Sequence, residues 1–171
     1  MDDKDSLRIK AKTIRKSLDM ASVSTHLVEK LRQNSLYQKA KLVMIFYPTT
    51  FEVNLLGLLS DNKNFYLPRV QGQDLLVCPY NKNIKLEESS FHIMEPISEP
   101  VNPKLLDLVV VPALMADKNG YRLGYGGGFY DRFLKSFKGD FKSIVAIPKE
   151  LFVEKLPVDS FDIPVDVVLQ A

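Results

Sequence analysis

Several common chemistries are missing from this chain. Of its 171 residues, one is cysteine and two are histidine. The single Cys78, set in the apolar run LLVCPY, cannot close an intramolecular disulfide. Its expected place is the core, as a small apolar residue of a protein in a reducing cytoplasmic setting. No Cys/His cluster at zinc spacing occurs. His26 falls on a predicted helix and His92 in a polar stretch. No Ser-His-Asp pattern recruits either, which argues against a hydrolase.

Long hydrophobic runs are scarce too. The start, MDDKDSLRIK, is acidic and polar, unlike a signal peptide. The longest strongly apolar segment, LLDLVVVPALM, is interrupted by Asp107 and Pro112. It therefore reads as a buried strand and not as a membrane span. An excess of one charge is also lacking: 23 Lys and Arg face 21 Asp and Glu, and the net charge is +2. That value alone gives no reason to expect a nucleic-acid partner. The apolar share of 46% suits one folded domain over residues 1–171. A chain of this length buries roughly 70% of the surface exposed when unfolded.

Periodicity supplies the fold class. Leu7, Ala11, Ile14 and Leu18 lie at helical spacing in a helix expected over residues 4–18. Residues 8–16 carry five basic side chains and no acidic one. Lys4, Arg8 and Lys12 stack along one face, either as a solvated surface or as an anion site. A second helix is predicted over 23–35, a strand over 41–48 and a short helix over 51–60. NFYLPRV and DLLVCPY read as strands, residues 81–103 mostly as loop, and 105–114 as a second buried strand. Phe129, Tyr130, Phe133, Leu134 and Phe137 hold one face of a later helix, and FKSIVAI and VDVVLQ read as closing strands. Strands alternating with helices predict an α/β, single-domain, three-layer sandwich with a mostly parallel sheet flanked by helices.

Glycine is sparse, yet four of the eight fall between positions 124 and 128, in RLGYGGGFYDRF. Two readings compete. The loop is either a structural turn capping a helix or a bare backbone that lets a ligand approach closely. Helix N-termini suit phosphate. Arg122 and Arg132 supply forked cations on either side, and Asp131 is a carboxylate able to hold Mg²⁺ against phosphate oxygens. The common fingerprints fail, because a dinucleotide loop from Gly124 needs glycine where Phe129 stands. No Gly-Lys-Ser/Thr ending follows either.

The stretch DLVVVPALMADKNGYRLGYGGGFYDRFL, residues 107–134, resembles the signature of the 5-formyltetrahydrofolate cyclo-ligases, also called methenyltetrahydrofolate synthetases. KDSLR, YPTTFEVN, LPRV, MEP and LPVDSFDIPVD agree in the family's order. The resemblance implies ATP- and Mg²⁺-dependent conversion of 5-formyltetrahydrofolate to 5,10-methenyltetrahydrofolate, with release of ADP and phosphate. The partners it implies are small molecules, ATP and a reduced folate, with no oligomeric state specified.

Carried over by position, Lys4 and Arg8 match the basic pair associated with ATP. Arg122, Leu123, Gly124, Tyr125, Gly126, Gly127, Gly128, Phe129 and Tyr130 match the nucleotide loop, and Tyr125 to Phe129 also border the folate. Tyr47 and Glu52 match folate-contacting positions, and Asp131 and Asp162 the magnesium-associated aspartates. Arg122, Asp131 and Glu52 are the expected catalytic residues. Asp166 fits the family's ending and equally a strand-end role. Leu55, Ala116, Leu151 and Phe161 depart from the family's usual residues, as does the absence of a glycine in the IVAI strand. Two other readings are a relative acting on another formyl or carboxamide substrate and a non-enzymatic nucleotide- or RNA-binding module. The second would need aromatic rings exposed among the basic residues.

Overall fold

The computed structural model describes residues 2–171. Two helices come first, α1 (Lys4–Ser17) and α2 (Met20–Gln33). Asp3 caps α1 by accepting from the Ser6 N–H at 2.8 Å. Asp19 caps α2 in the same way through Ser22, which starts that helix earlier than periodicity alone suggests. A third short helix, α3 (Ser35–Lys39), is capped by Asn34.

Six strands form the central sheet: β1 (Leu42–Met44), β2 (Asn64–Gln71), β3 (Asp74–Tyr80), β6 (Leu108–Val110), β9 (Lys142–Ile147) and β11 (Val167–Gln170). The remaining strands are β4 (Leu86–Glu88), β5 (Met94–Pro96), β7 (Met115–Asp117), β8 (Arg122–Leu123) and β10 (Phe152–Val153), and α4 spans Phe129–Ser136. The order in the central sheet is β11-β9-β6-β1-β2-β3, and every neighbouring pair is parallel except the β2–β3 hairpin.

Alternation along the inner strands explains the three layers. Val43, Ile45, Leu108, Val110 and Ile144 face the cluster built with Leu27 and Leu31 of α2. Met44, Val109, Val111 and Val145 face the other cluster, with Ala11 of α1 and Phe133 and Leu134 of α4. A strand buried on both faces needs apolar residues at every position, which is why these segments read as continuous hydrophobic runs. Cys78 is fully buried within this core.

The structure corrects four sequence expectations. Residues 51–60 hold only a 3-10 turn, Leu56–Ser60; the Asn54 side chain accepts from the Leu56 N–H and starts it late. The stretch read as loop contains the β4–β5 hairpin, whose strands of three residues each are too short to show a period. The apolar run 105–114 provides only three ladder residues before Pro112. Beyond it, β7 and β8 form an unforeseen second sheet with β10, in the order β10-β7-β8. Fully buried Asp117 fixes their turn by accepting from the N–H groups of Asn119, Tyr121 and Leu156 at 2.9–3.0 Å. Gly120 completes that turn at φ +87°, where a Cβ would meet the Val165 carbonyl at 2.5 Å.

Candidate active site

A cavity of about 810 Å³ lies between α1, the glycine loop and the chain leaving β1 and β6. Phe46 and Tyr47 follow β1, and Pro112 follows β6, so the cavity opens at carboxyl ends of parallel strands, a common ligand position in such sheets. The glycine loop does not leave a central strand directly. The β7–β8 excursion returns the chain to the end of β6, where Leu114 N–H donates to the Leu123 carbonyl at 2.7 Å. Arg122 Nη1 donates to the Pro112 carbonyl at 3.2 Å.

The loop itself is bare for steric reasons that differ from residue to residue. Gly128 adopts φ +72° as the residue capping α4, and Gly126 adopts φ +103° with the Arg8 guanidinium 3.6 Å from where a Cβ would stand. Both conformations disfavour a side chain. Arg8 Nε donates to the Gly124 carbonyl at 2.9 Å, tying α1 to the loop. Lys4, Arg8 and Lys12 all line the cavity, so the four-residue spacing points its basic face inward.

Lys4 Nζ lies 2.6 Å from both Asp159 and Asp162. Burial opposes its charge, but the hydrogen bonds to these two carboxylates outweigh it and raise its pKa above the usual lysine value. Arg122 is only 5% exposed at its side chain, and its Nε has no partner. Burial pulls its pKa down, opposed by Asp131, whose Oδ1 lies 3.8 Å away. The same Asp131 oxygen accepts from the Ile163 N–H at 3.2 Å, docking the segment that carries Asp162. Tyr130 is raised in pKa by burial and then by Glu52.

Asp131 and Asp162 use one oxygen each, Oδ1 and Oδ2, in the contacts above; the other oxygen of each accepts no hydrogen bond among the described residues. No group of three or more metal-ligating side chains occurs among the described residues. Two carboxylates with open oxygens fit an ion that takes its remaining ligands from phosphate and water.

Glu52, 8% exposed, anchors the opposite side. Its Oε1 accepts from the Thr49 N–H at 2.9 Å, and its Oε2 accepts from the Tyr125 hydroxyl at 2.6 Å. Burial first, and then Glu52, raise the Tyr125 pKa. Tyr47 is half-buried beside this group, and Phe51, Phe91 and Phe129 face the cavity too. Phe91 meets Phe129 edge-on, with ring centroids 6.1 Å apart.

The expected site residues thus surround one cavity. Of the departures, Leu55, Ala116 and Leu151 are fully buried and outside the lining, whereas Phe161 faces the cavity and is 59% exposed. Asp166 sits at a strand end, accepting from the Ser143 N–H at 2.8 Å. The residue that sequence reasoning missed is Arg15, 4% exposed and donating to Tyr125 at 2.7 Å. Its signal was its place one turn beyond Ala11, within the apolar stripe of α1.

Comparison with known proteins converges on one family. The model of the 5-formyltetrahydrofolate cyclo-ligase family matches residues 1–171. A 5-formyltetrahydrofolate cyclo-ligase of Haemophilus influenzae is 30% identical over 156 residues, covering 84% of this chain and 80% of the relative. The mouse 5-formyltetrahydrofolate cyclo-ligase is 30% identical over 161 residues, covering 84% and 79%. Among solved structures, the Aquifex aeolicus 5,10-methenyltetrahydrofolate synthetase superposes with a TM-score of 0.85 at 34% identity, over 98% of this chain and 89% of that one. A Mycoplasma pneumoniae 5,10-methenyltetrahydrofolate synthetase shares the fold, with a TM-score of 0.77 at 18% identity and 98% coverage of both chains.

Proposed function

The chain belongs to the 5-formyltetrahydrofolate cyclo-ligase family, an enzyme family, and on that premise we propose that it converts 5-formyltetrahydrofolate to 5,10-methenyltetrahydrofolate with ATP as co-substrate. One observation carries this reading. A single cavity has cations and bare glycine backbone on one wall and Glu52 among aromatic rings on another.

The chemistry demands both walls. A formamide carbonyl is a poor electrophile, and its oxygen is a poor leaving group. In the proposed sequence the formyl oxygen attacks the γ-phosphorus of ATP and ADP departs, giving an iminium phosphate. N10 of the same folate then attacks the formyl carbon, phosphate leaves with the former formyl oxygen, and N10 gives up its proton. The attack is intramolecular, so positioning supplies up to about 7–11 kcal/mol of the barrier.

Arg122 and Arg8, with the N–H groups of the glycine loop, would align and neutralise the phosphates. Such preorganised donors act where charge develops. Asp131 and Asp162 would hold Mg²⁺, which when bound neutralises phosphate charge. Asp162 would do so through its open Oδ1, with Oδ2 still accepting from Lys4. Glu52 would accept hydrogen bonds from the pterin ring, and Tyr47 would border it. We read residues 1–171 as one catalytic unit working in the cytosol, a setting that the lone buried Cys78 suits.

Mixing purified protein, Mg-ATP and 5-formyltetrahydrofolate tests the reading. The near-ultraviolet absorbance of the methenyl product should appear only when both substrates are present. ATP hydrolysis without that product would point instead to another formyl or carboxamide substrate.

A further inference from the structure

Arg15 stands out once the nucleotide and folate walls are assigned. Its Nη2 donates to the Ala113 carbonyl at 2.7 Å and its Nη1 to the Tyr125 hydroxyl at 2.7 Å. Its Nε has no partner, and no carboxylate pairs with it among the described residues. A buried cation held only by neutral groups is unfavourable for stability, and an apolar residue of similar length would avoid that. Core packing alone therefore does not explain its place beside the cavity.

The geometry sets a direction. A guanidinium only donates hydrogen bonds, so the Tyr125 oxygen must accept from Arg15. Its own proton is then left for Glu52 Oε2, 2.6 Å away. Thr49 holds the other carboxylate oxygen with its N–H at 2.9 Å and its hydroxyl at 3.3 Å. Glu52 is thus held at both oxygens. One of those restraints comes from the glycine loop, and Arg15 fixes the angle of that restraint.

We infer that Arg15 is a positioning residue for the folate, acting through Tyr125 to hold Glu52 at a fixed orientation against the nucleotide loop. The inference rests on the proposed function, with Glu52 as pterin anchor. It explains why the loop carries Tyr125 between glycines: the backbone serves phosphate while this one side chain reaches across to the folate wall. The contact to Ala113 also fixes Arg15 to the end of β6, so the chain Arg15–Tyr125–Glu52 is anchored to the sheet.

The test is a double-mutant cycle of Arg15→Met and Tyr125→Phe, with circular dichroism as a check on folding. Each single variant should raise KM for 5-formyltetrahydrofolate about tenfold, as expected for loss of a hydrogen bond in a charged network, and leave KM for ATP within about twofold. The double variant should be no worse than the weaker single one, because both remove the same link. Arg15→Lys, which keeps the charge and one donor direction, should recover part of the loss. Effects that multiply in the double variant would overturn the inference, as would an equal rise in both KM values or an unchanged folate KM. Should Arg15→Met fail to fold, Tyr125→Phe decides alone, and a wild-type folate KM in it overturns the inference. A wild-type protein that forms no methenyl product would instead refute the proposed function, so the two failures are distinguishable.

Discussion

On the α2 face of the sheet, the helix buries Ser24, Leu27, Val28 and Leu31; on the opposite face, α1 buries only Ala11 and Arg15. The first is packing of ordinary kind, with Leu27, Leu31 and Leu58 fully enclosed beside Val43 and Ile45. The second combines a core with the cavity, so Arg15 and Arg122 lie almost wholly buried along its lining. One amphipathic helix therefore stabilises the fold, while the other gives up apolar contact to bring cations inward. The comparison separates stability from activity, and substitutions on the two faces should separate them as well.

The largest effect belongs to the α2 face. Leu31→Ala should lose about 2–5 kcal/mol of stability through the cavity it leaves. In the fraction that stays folded, both KM values should match wild type; urea unfolding and steady-state kinetics check the two halves. A large KM change would break the separation.

On the other face, Arg122→Ala should lower turnover by about 10²–10³, equivalent to about 2.7–4 kcal/mol of lost electrostatic stabilisation. Its unfolding midpoint should fall less than that of Leu31→Ala, because the packing lost is offset by removing a charge that burial disfavours. Glu52→Ala should be milder, about 1.5–3 kcal/mol, and should fall on folate use more than on ATP, as read from kcat/KM with each substrate varied.

The smallest effect sharpens the α2 side. Arg32 Nη2 reaches Asp61 Oδ1 at 2.9 Å, and the Tyr37 hydroxyl donates to the other carboxylate oxygen. Burial opposes ionisation of Asp61, but these two partners outweigh it and lower its pKa. The pair's contribution is therefore present above the unfolded-state value of about 3.9 and is lost as pH falls through the folded value. Asp61→Asn should lie below wild type in stability at about pH 6, with the gap narrowing toward about pH 3. KM should be unchanged throughout.

The same contrast explains what could be read without coordinates. The inner strands and α2 were legible because burial on both faces, or on a single stripe, writes itself as apolar periodicity. The glycine loop and its flanking Arg122 and Asp131 were legible because few folds concentrate glycine in that way. The β4–β5 hairpin was not, since strands of three residues each are too short to show a period. Neither was the β7–β8 pairing, which depends on the buried Asp117 turn and looks in sequence like the tail of a longer strand. Arg15 was hidden as one of five basic residues; its place one turn beyond Ala11 was a faint signal, and its contacts with Ala113 and Tyr125, about a hundred positions away, make it plain.

In the proposed reaction the cavity passes a phosphoryl group to the formyl oxygen before N10 closes the ring. An oxygen-isotope label in the formyl group of 5-formyltetrahydrofolate tests this directly, with mass analysis of the phosphate released during turnover. The account predicts that the label appears in inorganic phosphate, one labelled oxygen for each methenyl product formed. Label released into water, with unlabelled phosphate, would contradict it.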